Sequence, residues 1–258
     1  MTATAIGIDL GSRATKILWL CDGRTVRTER FDTAHDAISP LRDLLGDTTM
    51  VPVVATGYGR NLANSALSCT TVSEILACAR GARHLDPHAS SVIDIGGQDS
   101  KVIQLTEEGK PARFEMNDRC AAGTGRFLEV MAKALGYELG DFGHQALEAE
   151  SPIRINSMCT VFAESEVVAR IAQGEDPQRI ALGLHVAVAR RTAALASRVR
   201  LGPRTLFVGG VANNLAMVNT LAGELDTELI VPEQPEFVVA LGAALTALQT
   251  HHPRSQKW

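Results

Sequence analysis

The sequence contains few cysteines, no marked excess of either charge and no long hydrophobic run, and each shortage excludes a class of protein. Its five cysteines are an odd number without a Cys-x-x-Cys pair, which indicates neither a secreted disulfide framework nor a zinc ribbon. The net charge of −4 gives no general attraction to nucleic acid or to anionic membranes. No apolar stretch reaches the roughly 18 to 20 residues of a membrane span, and the N-terminus lacks a signal-peptide pattern. We therefore expect a cytoplasmic protein without nucleic-acid or membrane partners.

Two stretches of the sequence repeat nearly the same motif. They read GIDLGSRATK at residues 7–16 and VIDIGGQDSK at residues 92–101. Each is an apolar strand that ends in an acid and a glycine turn, and each opens a predicted three-strand meander, at residues 5–31 and 91–117. The chain of 258 residues, 45% of them hydrophobic, is long enough for two modest domains. The repeat therefore predicts two half-sites.

Both turns have the residue types that hold phosphate. Glycine lets backbone amides approach an anion closely, and a lysine such as Lys16 neutralises phosphate charge. Asp9 and Asp94 would repel phosphate directly, so we expect them to hold Mg²⁺ through its water shell. One such turn alone is more typical of an ordinary hairpin, whereas two matching copies favour a phosphate clamp. The residues predicted to bind the nucleotide are Gly11, Ser12, Arg13, Ala14, Thr15, Lys16, Gly96, Gly97 and Gln98.

A third glycine turn follows the apolar strand at residues 205–208. There Gly209 and Gly210 would let the backbone lie against an adenine or a ribose, with Asn213 available for hydrogen bonds. In this order the three turns resemble the two phosphate motifs and the adenosine motif of the actin, Hsp70 and sugar-kinase superfamily.

This superfamily resemblance implies an α/β protein with two ribonuclease-H-like domains and Mg-ATP in the cleft between them. The first domain would comprise residues 1–90 plus 236–258, and the second residues 91–235. The repeat would then mark a duplicated domain, and closure of the two domains around ATP would be the mechanical output.

Two cysteines stand in similar surroundings, apart from the other three. Cys120 precedes a helix predicted at residues 123–135, and Cys159 precedes one predicted at residues 163–172. Helix N-termini stabilise a thiolate, so both cysteines are candidate metal ligands. A [4Fe–4S] cluster normally takes four cysteines, which two identical subunits on a twofold axis would supply together. The alternative is that both are small packing residues near helix ends.

Several uncommon strings then resemble one family in particular. "GYGRN", "SEILACARGA", "IDIGGQDSKVI", "MNDRCAAGTGRFLEVMA", "CTVFAESEV" and "GGVANN" are similar to the ATP-dependent activators of 2-hydroxyacyl-CoA dehydratases and the ATPase subunits of benzoyl-CoA reductases. This resemblance implies a homodimer with one bridging [4Fe–4S] cluster on Cys120 and Cys159. ATP hydrolysis would drive a low-potential electron from a ferredoxin or flavodoxin into the dehydratase or a related acyl-CoA reductase.

Three other functions stay open at this point. The chain could be the ATPase subunit of a benzoyl-CoA reductase or double-cluster reductase, a small-molecule kinase, or an ATP-dependent binding module without redox chemistry. A kinase would need an acceptor pocket, for which two minimal domains leave little sequence. Arg13 departs from the superfamily, where a small hydroxyl residue is familiar at that position, and no residue is identified as the one that positions the hydrolytic water.

Overall fold

Two five-stranded sheets with the same internal strand order account for the architecture. The structure, a computed structural model, describes residues 3–46, 51–157 and 159–251. In the first sheet the strand order is β3-β2-β1-β4-β5, and β1 pairs antiparallel to β2 and parallel to β4. Its strands are β1 (Ala5–Leu10), β2 (Ala14–Cys21), β3 (Arg24–Asp32), β4 (Val53–Thr56) and β5 (Thr70–Thr71).

The second sheet repeats the first. Its order β10-β9-β6-β7-β8, read from the other edge, matches that of the first sheet strand for strand, with β6 in the place of β1. Its strands are β6 (Ser91–Ile95), β7 (Ser100–Leu105), β8 (Pro111–Asn117), β9 (Thr205–Val208) and β10 (Leu229–Ile230). The α/β class with two similar halves, which the superfamily resemblance implied, is confirmed.

Nine helices in the described part of the chain connect and cover these strands. They are α1 (Ile38–Leu45), α2 (Arg60–Leu67), α3 (Glu74–Leu85), α4 (Gly125–Ala134), α5 (Leu139–Leu147), α6 (Thr160–Ala172), α7 (Pro177–Ala196), α8 (Leu215–Leu225) and α9 (Val238–His251). Local signals begin several of them, as at α7, where Asp176 accepts a hydrogen bond from Gln178 N and proline takes the first position. Within the described residues, none of these helices has the length and apolar character needed to cross a membrane.

The chain divides into two compact units, each with its own core. The first contains the described residues of Met1–Val92, Leu105–Ala112 and Glu236–Trp258, and the second those of Ile93–Gln104 and Arg113–Pro235. In the first unit, apolar residues of β1 and β2 pack with Leu41 of α1 and Ala63 of α2. In the second unit, Phe127, Phe142 and Phe207 pack in a larger core formed mainly by helices α4 to α8. Strands such as β1 therefore pack their apolar side chains against helices of the same unit.

Close contact between α3 and α9 depends on glycine. A Cβ at Gly242 of α9 would collide with the carbonyl oxygen of Ala77 in α3 and would lie 2.5 Å from its carbonyl carbon. A Cβ at Gly81 of α3 would likewise collide with the carbonyl oxygen of Val238 at the start of α9. The two helices thus approach backbone to backbone, which fixes α9 in the first unit although about 150 residues separate it from α3 in the sequence.

We expect Gly242→Ala to lower the free energy of unfolding by about 3 kcal/mol, because its methyl group meets main-chain atoms that cannot turn aside. Gly223→Ala is the matched control, since the space around this glycine in α8 is open. The control should raise stability by up to about 1 kcal/mol through helix propensity. Urea unfolding followed by circular dichroism measures both, and an unchanged midpoint for Gly242→Ala would contradict this account of the packing.

Candidate functional site

The first glycine turn contains an ion pair at its base. Asp9, buried near the end of β1, is the cross-strand neighbour of Lys16 on β2. Lys16 Nζ lies 3.0 Å from Asp9 Oδ2, and 19% of the lysine side chain is exposed. The carboxylate is therefore held by a cation that solvent, or a phosphate group, can also reach.

The turn itself is braced from within the first unit. Thr33 Oγ1 donates a hydrogen bond to the carbonyl oxygen of Gly11 over 2.9 Å, and Thr15 Oγ1 lies 2.9 Å from Thr33 Oγ1. Ala14 and Thr15 are buried, Gly11 and Ser12 are partly buried, and Arg13 is exposed at the tip. Among the residues predicted to bind nucleotide, Thr15 thus uses its hydroxyl to hold the turn.

The second glycine turn has a different charge arrangement at the same positions. Lys101 on β7 is the counterpart of Lys16 in the repeat, but its side chain is only 1% exposed. Its Nζ lies 2.8 Å from Asp99 Oδ2 and 3.7 Å from Asp94 Oδ2. The acid Asp99 takes the place that Ala14 occupies in the first turn, so this lysine is shared between two carboxylates. Neither Asp99 nor Lys101 was predicted to be a site residue.

A glycine in the left-handed region lies against each aspartate. Gly57, which follows β4, has φ +86°, and a Cβ there would lie 2.6 Å from Asp9 Oδ1. Gly209, which follows β9, also has φ +86°, and its Cβ would lie 2.5 Å from Asp94 Oδ1. Each glycine also touches the main chain just after the aspartate. The duplication therefore extends to the turn at residues 57–60, which the sequence analysis did not assign to the site.

The second turn is hydrogen-bonded to the start of α4. Gly125 N donates to the carbonyl oxygen of Gly96 over 2.9 Å, and Arg126 N donates to that of Gly97 over 2.8 Å. These two N–H groups belong to the first turn of the helix, where the backbone has no partner within the helix itself. The turn and the start of α4 are therefore tied together by the main chain, while Gln98 at the tip of the turn is exposed.

The third glycine turn presents one asparagine and uses the other internally. Gly210–Asn213 forms a single 3-10 turn in which Gly210 and Asn213 are exposed. Asn214 Oδ1 accepts a hydrogen bond from Met217 N and so caps α8. Its Nδ2 lies 3.0 Å from His185 Nε2. Asn213 is therefore the asparagine with a side chain in position to meet a ligand.

His185 is a buried neutral histidine that the sequence analysis did not single out. Its Nδ1 lies 2.7 Å from the carbonyl oxygen of Ala181, so Nδ1 carries the proton and Nε2 accepts from Asn214. Burial lowers the pKa of His185 from 6.5 to about 4, against the smaller upward effect of its two hydrogen bonds. The third turn is thus anchored on a group that must stay uncharged.

This pKa predicts acid sensitivity. Because the unfolded chain binds the His185 proton more tightly, the stabilisation is complete above pH 6.5 and is lost as the pH falls toward about 4. The loss over that interval should be about 3 kcal/mol from this group. Urea unfolding at several pH values measures the slope, and His185→Gln should remove this part of the pH dependence. Equal slopes in the two proteins would contradict the assignment.

Cys159 is the N-cap residue of α6, and the loop before it is tied to the same helix. The Glu166 carboxylate accepts hydrogen bonds from Asn156 N at 3.1 Å, from Ser157 N at 2.9 Å and from Asn156 Nδ2 at 3.1 Å. Partial burial raises the pKa of Glu166, but these hydrogen bonds outweigh it and hold the pKa below its ordinary value. The sequence analysis did not identify Glu166, whose role depends on a chain reversal that spacing alone does not reveal.

Cys120 lies in a loop, which corrects the expectation that both cysteines stand directly before a helix. α4 begins at Gly125 with Thr124 as its N-cap, so four residues follow Cys120 before the helix starts. Asn117 Nδ2 holds this loop by donating to the carbonyl oxygens of Cys120 at 2.9 Å and Ala122 at 3.0 Å. The loop nevertheless leads into the helix start that is bonded to the second glycine turn.

Exposure separates these two cysteines from the rest. All five lie in the described residues; Cys69 and Cys78 are buried, Cys21 is partly buried, and Cys120 and Cys159 are exposed. Beside Cys159, the large apolar residues Val161 and Phe162 are 68% and 67% exposed. Within the described part of one chain, no group of three or more histidine, cysteine, aspartate or glutamate residues could hold a metal ion.

Comparison with known proteins gives a consistent result. Residues 6–247 match the BadF/BadG/BcrA/BcrD ATPase family. The chain is 41% identical over 253 residues to the activator of lactoyl-CoA dehydratase of Anaerotignum propionicum, covering 95% of this chain and 97% of that protein. It is 39% identical over 251 residues to the 2-hydroxyisocaproyl-CoA dehydratase activator of Clostridioides difficile, covering 94% of each.

Solved structures agree with the sequence matches. The activator of the 2-hydroxyisocaproyl-CoA dehydratase from Clostridium difficile with bound ADPNP superposes with a TM-score of 0.89 at 38% identity, covering 98% of both chains. A ROK family glucokinase from Streptomyces griseus in complex with glucose and AMPPNP reaches a TM-score of 0.58 at 15% identity, over 95% of this chain and 99% of that one. The glucokinase therefore shares the fold alone.

Proposed function

The chain belongs to the BadF/BadG/BcrA/BcrD ATPase family, and on that premise we propose that it is an ATP-driven electron-transfer activator of a 2-hydroxyacyl-CoA dehydratase. The observation that carries the proposal is the pair of exposed cysteines, each on a loop fixed by one polar side chain, in a chain that also has two aspartate-glycine turns. An ATPase that only bound a partner would have no use for two anchored, exposed thiols.

We assign nucleotide binding to the three glycine turns. Asp9 and Asp94 would hold Mg²⁺ through its water shell, and Lys16 would approach a phosphate because part of its side chain is exposed. Lys101 is enclosed between two carboxylates and is left out of this assignment. The residues proposed to contact the nucleotide are Gly11, Ser12, Arg13, Ala14, Thr15, Lys16, Gly96, Gly97, Gln98, Gly209, Gly210 and Asn213. The domains we propose are residues 1–90 plus 236–258 and residues 91–235.

The two exposed cysteines fit a [4Fe–4S] cluster shared by two copies of the chain. Thiolates are the usual ligands of such clusters, and one chain offers two where four are needed. A second copy would supply the other two and would cover apolar residues of α6 such as Phe162. When bound, the cluster supplies a one-electron carrier of low potential. We further propose ferredoxin or flavodoxin as the electron donor, on the family resemblance.

Contacts within the second unit support coupling between nucleotide and cysteine loop. A nucleotide bound at Gly96 and Gly97 would contact a turn whose carbonyl groups accept hydrogen bonds from Gly125 N and Arg126 N. Those residues open α4, directly after the loop that carries Cys120. The chain thus has a short hydrogen-bonded route from the phosphate turn to one proposed ligand, and ATP hydrolysis would reset it.

The ligand assignment is tested by the iron content of protein purified without oxygen. Wild type should hold about two irons per chain as a dimer. Cys120→Ala and Cys159→Ser should each lose the iron and retain nucleotide binding, because neither cysteine lies on a glycine turn. Cys21→Ser, at a partly buried cysteine outside the proposed ligand set, is the control and should keep its iron. A full iron complement in either ligand variant would overturn the assignment.

The magnesium assignment has a separate test. Asp9→Asn and Asp94→Asn should each reduce ATP turnover by about 100-fold while iron stays bound, because the amide no longer attracts hydrated Mg²⁺. Asp22→Asn is the matched control: Asp22 lies at the tip of the β2–β3 turn with φ 50°, a conformation that asparagine tolerates. Phosphate release at saturating ATP measures the turnover. Wild-type rates in both aspartate variants would remove the proposed role.

A further inference from the structure

One buried hydroxyl beside the first glycine turn has no hydrogen-bond partner. Thr56, the last residue of β4, is fully buried, and its Oγ1 makes no hydrogen bond among the described residues. Buried polar side chains nearly always have a partner, because the bond to water lost on folding must be replaced. The unpaired hydroxyl of Thr56 therefore indicates that it gains a hydrogen-bond acceptor when the neighbouring side chains change position.

Thr56 is the immediate neighbour of Asp9. Asp9 on β1 pairs in register with Lys16 on β2 and with Thr56 on β4. Register partners on adjacent strands direct their side chains to the same face of a sheet. The three side chains thus form a row, with the aspartate between the lysine and the threonine. Lys16 Nζ donates a hydrogen bond to Asp9 Oδ2. Gly57, directly after Thr56, lies against Asp9 Oδ1.

The other half of the protein shows that the fold does not need this hydroxyl. Gly57 and Gly209 have the same φ and the same contact with an aspartate, so the residues before them, Thr56 and Val208, are counterparts. Val208 is buried like Thr56 and is apolar. A valine therefore satisfies the packing at this position.

The difference between Lys16 and Lys101 explains why the first half has a threonine at this position and the second half has a valine. Lys101 is enclosed with Asp94 and Asp99 and has no route to a phosphate. Lys16 lies 3.0 Å from Asp9 and has a side chain that is 19% exposed, so a polyphosphate with several negative charges can draw it away. Asp9, itself only 5% exposed, would then lose the donor on Oδ2.

We propose that Thr56 is a positioning residue for Asp9, whose carboxylate accepts a hydrogen bond from the Thr56 hydroxyl when Lys16 turns to the phosphate of the bound nucleotide. The inference rests on the proposed nucleotide site. No proton is transferred: the Thr56 hydroxyl keeps its hydrogen, and it changes from having no hydrogen-bond partner to donating to the Asp9 carboxylate. Asp9 thus stays oriented toward the water shell of Mg²⁺ during hydrolysis.

The test compares Thr56→Val with Thr56→Ser in the full-length protein. Thr56→Val should be as stable as wild type or more stable in urea, because it removes an unpaired buried hydroxyl and inserts the residue of the other half. Its kcat for ATP hydrolysis should fall about tenfold with a higher Mg²⁺ requirement, and KM for ATP should change little. Thr56→Ser should retain the wild-type kcat because it keeps the hydroxyl.

Thr205→Val is the matched control, a buried threonine on a strand whose hydroxyl already donates to the carbonyl oxygen of Gly202 at 3.2 Å. It should lose stability and keep its kcat, the reverse of Thr56→Val. A Thr56→Val protein with wild-type kcat and Mg²⁺ dependence would overturn the inference, as would a Thr56→Ser protein as slow as Thr56→Val.

The assay separates this inference from the electron-transfer proposal, because ATP hydrolysis needs no partner enzyme. A wild type that hydrolyses ATP but never holds iron would contradict the electron-transfer role and leave the Thr56 result valid. A wild type that neither binds nor hydrolyses ATP would overturn both.

Discussion

The contact between an aspartate carboxylate and a glycine with positive φ is the constraint on which both of these turns depend. Asp9 meets Gly57 in this way, and Asp94 meets Gly209. A side chain on either glycine would push against the carboxylate and against the main chain that follows it. The aspartate, the end of its strand and the turn after the neighbouring strand are consequently fixed together, and the nucleotide-binding residues we propose are arranged around them.

The two halves share this contact but differ in the surroundings of the lysine that pairs with the aspartate. In the first half Lys16 pairs with Asp9 and remains partly exposed, whereas in the second half Lys101 is buried between Asp94 and Asp99. Coulomb attraction between Lys101 and two acids inside the protein is screened little by solvent, so this group serves as an internal tie. The first half keeps its cation available for a ligand. The second carboxylate is Asp99, which stands where the first turn has Ala14.

The cysteine loops add a second layer of local anchoring. Asn117 bonds the main chain around Cys120, and Glu166 bonds the main chain before Cys159. Both side chains replace hydrogen bonds that an exposed loop would otherwise make with water, and so they lower the freedom of the two thiols. Because the Cys120 loop leads into α4, whose first amides are bonded to Gly96 and Gly97, the phosphate turn and this loop form one connected structure.

Much of this could be predicted from residue order. The repeated acid-glycine-lysine phrase indicated two equivalent meanders, and its combination with the cysteine strings indicated the family, as the comparisons confirm. Helix α2 was missed because it starts without a side-chain cap and carries several polar residues, and α5 lies in a stretch for which no helix was predicted. The helix after Cys120 was predicted to start too early, because the sequence does not show where the loop ends and the first helical turn begins.

The sequence by itself determined the family and the class of fold, and it set Cys120 and Cys159 apart from the other cysteines. Contiguous motifs and their spacing are enough for these inferences. Only the tertiary structure decided that Gly57 corresponds to Gly209, that Lys101 is enclosed while Lys16 is accessible, and that Thr56 stands unpaired beside Asp9. Those facts depend on strand register and on burial. Both arise from pairing between segments far apart in the chain, which no local pattern of residues specifies.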